Sequence, residues 1–162
     1  LKARESLVLY TKHLAWLNTP AGDKKESRIE QFTRMLGRQP DFPEITGCHY
    51  LIDYLLRLGT VKHTGMGAVN IDYQEIYYWA RCVGIELTGW ECETLFVLSK
   101  AYASQLSVSR EKTCPPPWTS DILLSKRTPD KLNAGILEAF EKAQNPKKAK
   151  PKARRNKVRI LS

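Results

Sequence analysis

The side chains best suited to nucleophilic or metal chemistry are scattered. Cys48, Cys82, Cys92 and Cys114 lie 34, 10 and 22 residues apart, and His13, His49 and His63 are equally dispersed. A structural zinc site draws its ligands in closely spaced pairs. Neither Cys-x-x-Cys nor His-x-x-x-His occurs, so the four thiols are expected to stay free, packed as small apolar groups. Cys48 and His49 are neighbours, and on a helix adjacent side chains diverge by about 100°, too far for a thiolate–imidazole pair. Glu91 and Glu93 stand two apart and point to different helix faces, and the helix macrodipole accounts for acids near an N-terminus. Gly65-Met66-Gly67 lacks the Gly-Lys-Ser/Thr that completes a phosphate-binding loop and reads as a connector. Neither a Gly-x-Ser-x-Gly elbow nor a His-Glu-x-x-His motif is present. The expectation is a protein that binds rather than turns over a substrate, with no cofactor, metal or catalytic residue.

Charge narrows the partner. The 162 residues carry a net charge of +9, with 26 basic and 17 acidic side chains. Eight of the cations, Lys147, Lys148, Lys150, Lys152, Arg154, Arg155, Lys157 and Arg159, fall within 145–162, where there is no acid. Residues 1–144 therefore hold 18 basic and 17 acidic groups, a net of +1. A like-charged block broken by Pro146 and Pro151 buries too little apolar surface to offset its ordering entropy, which predicts a disordered basic tail behind a helical domain spanning 1–144. No run approaches the roughly 18 apolar residues of a spanning helix, and Leu1-Lys2-Ala3-Arg4-Glu5 lacks the apolar core of a secretion signal. A soluble, cytoplasmic protein is expected.

The elements that would carry a binding surface are helical. Leu7, Tyr10, Leu14 and Leu17 recur at helical spacing up to Pro20; Ile29, Phe32 and Leu36 follow and stop at Gly37. Leu51, Ile52, Leu55, Leu56 and Leu58 form the strongest apolar stripe and end at Gly59, the expected centre of the core. Asp72-Tyr73-Gln74-Glu75 is a capping box flanked by Ile71 and Ile76 as a hydrophobic staple. It opens a helix carrying Ile76, Trp79, Ala80 and Val83 that Gly84 terminates. Thr88-Gly89-Trp90-Glu91 is a second box, opening a helix with Leu95, Leu98, Ala101 and Tyr102 on one face. Cys114-Pro115-Pro116-Pro117-Trp118 cannot be helical and reads as a polyproline strap pinned by Trp118. Thr128-Pro129-Asp130 starts a last helix with Leu132, Ile136, Leu137 and Phe140 inward. The only extended piece expected is a short ribbon within 60–70. The fold class is all-α, a small bundle of five or six short helices.

Two surfaces emerge. The helix pair through Gly84 has the spacing of a helix-turn-helix, with Ala80 at the small position. A reading helix starting near Thr88 would however offer Glu86, Glu91 and Glu93 to phosphates spaced about 1.7 Å along the duplex, with no cation before Lys100. Sequence-specific reading is not expected there. Aromatic residues crowd instead: Tyr73, Tyr77, Tyr78, Trp79 and Trp90. Trp79 and Trp90 take core-facing positions, whereas Tyr78 shares the polar face of Gln74 and Arg81. Tyr73, Tyr77, Tyr78 and Arg81, with Trp118, are the candidate partner contacts.

The run Asn70 to Ala80, then Gly84 to Glu91, then Leu95 to Leu98 with Ser99, Ala101 and Tyr102, resembles small tail-region proteins of tailed bacteriophages and prophages, encoded near the tail assembly chaperones and upstream of the tape measure protein. The matching positions are Glu75, Ile76, Trp79, Trp90, Glu91 and Tyr102. The proline–aromatic segment Pro115 to Trp118 is similar to a strap that often follows, so the resemblance spans about 43–118. It implies a non-enzymatic, chaperone-like partner of tape measure or tail tube proteins during tail assembly, and it marks a fold, defined by Asp72, Glu75, Ile76, Trp79, Gly84, Thr88, Trp90, Glu91 and Tyr102, rather than a reactive site. The basic tail departs from that pattern. It supports an alternative, a nucleic-acid-binding accessory protein whose eight cations meet phosphate without sequence preference.

Overall fold

Local signals set the helix boundaries. The computed structural model describes residues 2–119, and within them α1 spans Lys2–Asn18, α2 Arg28–Leu36, α3 Tyr50–Leu58, α4 Tyr73–Val83 and α5 Gly89–Ser109, with strands β1 Lys62–Thr64 and β2 Gly67–Val69 between α3 and α4. Both expected capping boxes form: Asp72 accepts from the Glu75 amide while Glu75 accepts from the Asp72 amide, and Thr88 and Glu91 repeat the exchange. A third box, Ser27 with Glu30, opens α2. Gly84 closes α4 at φ 71°, a left-handed turn that costs glycine little and lets its amide reach the carbonyls of Ala80 and Arg81. The helix expected from Thr128 through Phe140 and the cationic block at 145–162 lie outside the described residues.

The described residues are mostly helical, with one antiparallel hairpin as their sheet. Lys62 pairs with Val69, His63 with Ala68 and Thr64 with Gly67. The ribbon expected around Gly65-Met66-Gly67 is therefore present, and the purely helical description needs this addition.

The core gathers Leu7 of α1, Leu51, Ile52 and Leu55 of α3, Ile71 and Ile76 at the start of α4, and Leu95 and Leu98 of α5. A smaller group of Ala15, Val61 and Tyr102 continues it. Helix α5 packs along α1 and touches α3, α4 and β2 as well. Ser99, fully buried in the middle of α5, accepts from the Ile71 amide at 2.8 Å and donates to the Thr60 carbonyl at 2.6 Å. One hydroxyl thus ties down both ends of the segment that carries the hairpin.

Several expected core positions prove exposed. Leu56 and Val83 face outward, and Leu36 is exposed while Arg28 and Gln31 are the buried residues of α2. The apolar stripe on α3 is wider than the part that is covered: Leu51, Ile52 and Leu55 are buried, whereas Leu56 is exposed. Cys48 and His49 are not on a helix. Cys48 has φ 57° and His49 is the residue before α3 begins, so their expected helical divergence does not apply. All four cysteines are unpaired.

Burial fixes what truncation should do. Leu55→Ala is expected to destabilise the fold by about 2–5 kcal/mol, through lost transfer energy and the cavity left behind. Leu56→Ala, one residue along, should stay within about 0.5 kcal/mol. Urea unfolding of both variants checks the contrast.

Candidate functional site

Burial of Ile76 and Ala80 decides which side of α4 is presented. Tyr73, Tyr77, Tyr78 and Arg81 occupy the outer side, Tyr77 and Tyr78 each 58% exposed. Tyr73 is steadied by a flat stack on Phe96 of α5, centroids 4.5 Å apart at 10°. Tyr77 and Tyr78 meet edge to face at 5.6 Å. Arg81 makes no ion pair among the described residues. Beside it the turn between α4 and α5 encloses an open notch of about 480 Å³, lined by Tyr77, Arg81, Ile85, Glu86, Leu87 and Cys92 together with Ala80 and Gly84. An apolar floor, a tyrosine wall and one charge of each sign suit a side chain or helix end from another protein.

The hairpin holds this helix in place. Lys62 of β1 bridges to Glu75 at 2.8 Å and to Asp72 at 3.4 Å, so the two carboxylates of the α4 cap also anchor β1. The Glu75 hydrogen bond is the main reason the Lys62 ammonium is held more firmly than usual, and the Asp72 carboxyl is lowered chiefly by the backbone amide of Glu75.

A second aromatic run adjoins the first. Tyr50 and Tyr54 of α3 meet at 5.4 Å, Tyr54 meets Trp79 of α4 at 5.5 Å, and the Arg57 guanidinium lies 5.8 Å over Trp79. Trp79 is therefore half-buried at the α3–α4 seam rather than in the core. Trp90 corrects the expectation further: it is 41% exposed, on the first turn of α5, with Arg4 of α1 at 5.6 Å over its ring. Its cap fixes it at the mouth of the helix, ahead of the inward positions Thr94, Leu95 and Leu98. Tyr102 is buried as expected and receives the Asn18 amide on its hydroxyl.

The acids at the start of α5 differ among themselves. Glu86 and Glu93 are exposed, Glu93 pairing with Arg4 at 3.0 Å. Glu91 is committed to structure: besides capping α5 it accepts from the Tyr50 hydroxyl at 2.6 Å. The Tyr50 bond, then those from Thr88, hold its carboxyl below the usual range, while the same bond raises the Tyr50 phenol far above its own.

Trp118 is not part of the α4 face. It packs against His13 of α1 with centroids 5.4 Å apart, within an aromatic group that includes Trp16, Phe32, Phe42 and Tyr10. The strap is pinned as expected, and the Trp16 indole N–H adds a hydrogen bond to the Cys114 carbonyl at 3.0 Å. His13 is only 5% exposed and its Nδ1 has no partner among the described residues. Burial pushes its pKa below the ordinary 6.5, and a hydrogen bond with the Asp41 backbone opposes this more weakly. Aromatic rings could return about 0.5–2 kcal/mol to an imidazolium. Desolvating an ion costs several, so the neutral ring prevails. Sequence reading missed this group because nothing in the spacing of His13, Phe42 and Trp118 joins them; the Ser27-x-x-Glu30 box that positions neighbouring α2 was a legible signal that went unused.

Among the described residues no cluster of His, Cys, Asp and Glu is arranged to hold a metal ion, and no helix is long and apolar enough to cross a membrane. Comparison with known proteins returns no match, whether to a family model, a curated sequence or a solved structure.

Glu91 yields a signed pH dependence. Its depressed carboxyl contributes stability that is present above the unfolded carboxylate pKa of about 4.5 and is lost as pH falls through the lower folded value. Tyr50→Phe should move the Glu91 midpoint back upward toward 4.5, read from its carboxyl carbon resonance, and should blunt the loss of stability in acid.

Proposed function

We propose that this protein is a non-enzymatic binding module that takes an apolar helical segment of a larger partner against the outer face of α4. The observation that carries the reading is the set of three tyrosines at least half exposed on one capped, anchored helix, beside a notch with Arg81 at its rim. Tyrosine supplies large amphipathic contact area at low entropic cost, having only two side-chain torsions to fix. The partner's helix would lay its apolar side across Tyr73, Tyr77 and Tyr78 and set one anchor side chain in the notch, while Arg81 meets a carboxylate. Covering such a segment reversibly keeps a long, incompletely assembled chain from aggregating.

The resemblance in 43–118 extends the proposal to tailed-phage assembly: the partner is a tape measure or tail tube protein, and the place is the host cytoplasm. In this reading the protein is a small helical bundle followed by a disordered basic tail. Co-expression with the tail proteins of its own gene neighbourhood should recover a complex. The double substitution Tyr77→Ala and Tyr78→Ala should weaken it at least tenfold while leaving thermal unfolding within a few degrees of the native chain. An undiminished complex, or none with any tail protein, would overturn the assignment.

A second reading rests on Lys147 to Arg159, eight cations without an acid. If that block binds duplex DNA, affinity should fall by orders of magnitude between about 50 and 200 mM salt, show no sequence preference and vanish in a chain ending at Asn145. Fluorescence anisotropy with a random-sequence duplex measures all three.

A further inference from the structure

His13 lies in α1 with aromatic rings from three segments around it. Trp16 stacks on it at 5.9 Å and 17°, Phe42 from the α2–α3 connection meets it edge-on at 5.7 Å and 89°, and Trp118 from the proline strap meets it at 5.4 Å and 79°. The strap has two other holds: the Trp16 indole N–H to the Cys114 carbonyl at 3.0 Å, and the Arg28 guanidinium to the Glu111 carbonyl, also at 3.0 Å, just before it. A titratable ring therefore forms the seat of Trp118, at the point where the chain leaves α5 toward the sequence carrying the cationic block.

We infer that His13 is a proton-operated latch, neutral when the strap 114–118 is closed over α1 and releasing Trp118 when protonated. The enclosure is built against a charge. Protonation would place a second N–H donor at Nδ1, which faces no acceptor among the described residues. The surrounding charged groups do not compensate. From the 38–43 segment, the Asp41 carboxylate is engaged by Arg38 at 2.9 Å, and only the Asp41 backbone bonds His13. From α2, Arg28 sits 4.8 Å over Trp16 and is itself buried, a charge of the same sign. Within α1, Lys12 is exposed and Tyr10, stacked on Phe42, is kept neutral, its phenol raised by burial and by Asp53 of α3. From the strap comes the Cys114 thiol, and from the turn that follows α5 the exposed Glu111, whose carbonyl is the group turned to Arg28.

The direction follows from linkage. With the strap open, the imidazole meets water and recovers an ordinary pKa near 6.5. Below that pH the open form takes up a proton that the closed form resists, so the ratio of open to closed rises by up to about tenfold per pH unit. The rise levels off once pH passes the lower pKa of the closed form. Above about 6.5 the latch is insensitive to pH.

The experiment uses the full chain, nitrogen-15 labelled, between pH 7.5 and 5.5. Hydrogen exchange of the Trp16 indole N–H, referred to free indole at each pH, reports the strap, and core amides of α5 report the rest of the fold. The expected result is protection of the Trp16 indole falling up to about tenfold per unit below pH 6.5 while α5 stays protected. His13→Phe keeps the ring contacts but cannot accept the proton, and its profile should be flat. Unchanged protection in the native chain, or the same fall in His13→Phe, would overturn the inference. Should His13→Phe not fold, the native imidazole nitrogen resonances decide. A midpoint below 6.5 that rises toward 6.5 in Trp118→Ala supports the latch, and a midpoint at or above 6.5 in the native chain refutes it.

Discussion

One broad face of α5 has to be covered by several elements at once, and that requirement organises the described structure. Thr94, Leu95, Leu98, Ser99, Tyr102 and Ser109 are all buried on this 21-residue helix. α1 runs along it, and α3, α4 and the hairpin take what remains. The small polar residues in the face do not break it, because each has a hydrogen-bond partner. Thr94 donates back to the Trp90 carbonyl and accepts from Arg4, and Ser99 serves the two ends of the 60–71 segment. A hydroxyl left unpaired at that depth would cost about 1–3 kcal/mol. Satisfied, it sets where the hairpin starts and stops, and hence where α4 begins.

Arg28 plays the matching part at the other end. Its guanidinium is nearly inaccessible, yet among the described residues no carboxylate pairs with it. It donates instead to the carbonyls of Trp16, Thr19 and Glu111 and stacks on the Trp16 ring. The carbonyls at the end of α1 have no intrahelical donor, so the cation fills a need the helix itself creates. Hydrogen bonds to a charged group are worth about 1.5–3 kcal/mol each. Three of them, with a stacked ring, offset a desolvation cost of several kcal/mol. The same residue joins α1, α2 and the approach to the strap, and so puts Trp16 where both His13 and Cys114 can use it.

The candidate site inherits its geometry from these constraints. With α4 anchored through Lys62, Asp72 and Glu75, and its inner side committed to Ile76 and Ala80, the tyrosines have only the outer side left. That much was legible, because a helix of known phase has one buried side and one free. Trp90 and Trp79 were misjudged by the same reasoning. Periodicity tells which side of a helix is apolar but not how far along it the neighbours extend, and at the first turn of α5 Trp90 stays 41% exposed with Arg4 over its ring. Leu56, Val83 and Leu36 are misplaced for that reason too. Arg28 inverted the usual expectation, since its burial depends on carbonyls contributed by two other parts of the chain.

By itself the sequence determined whatever depends on residues a few positions apart: the Asp72 and Thr88 caps, the glycine stops, the turn at Gly65-Met66-Gly67 and the non-helical proline strap. These rest on backbone hydrogen bonds closed within three or four residues, whose partners adjoin in the chain. The tertiary structure alone decided which apolar residues are covered, that Ser99 and Arg28 are junctions, and that His13, Phe42 and Trp118 share one enclosure. Those outcomes join residues from distant parts of the described chain. They follow from how helices of fixed length fill the space around α5, which no local spacing encodes.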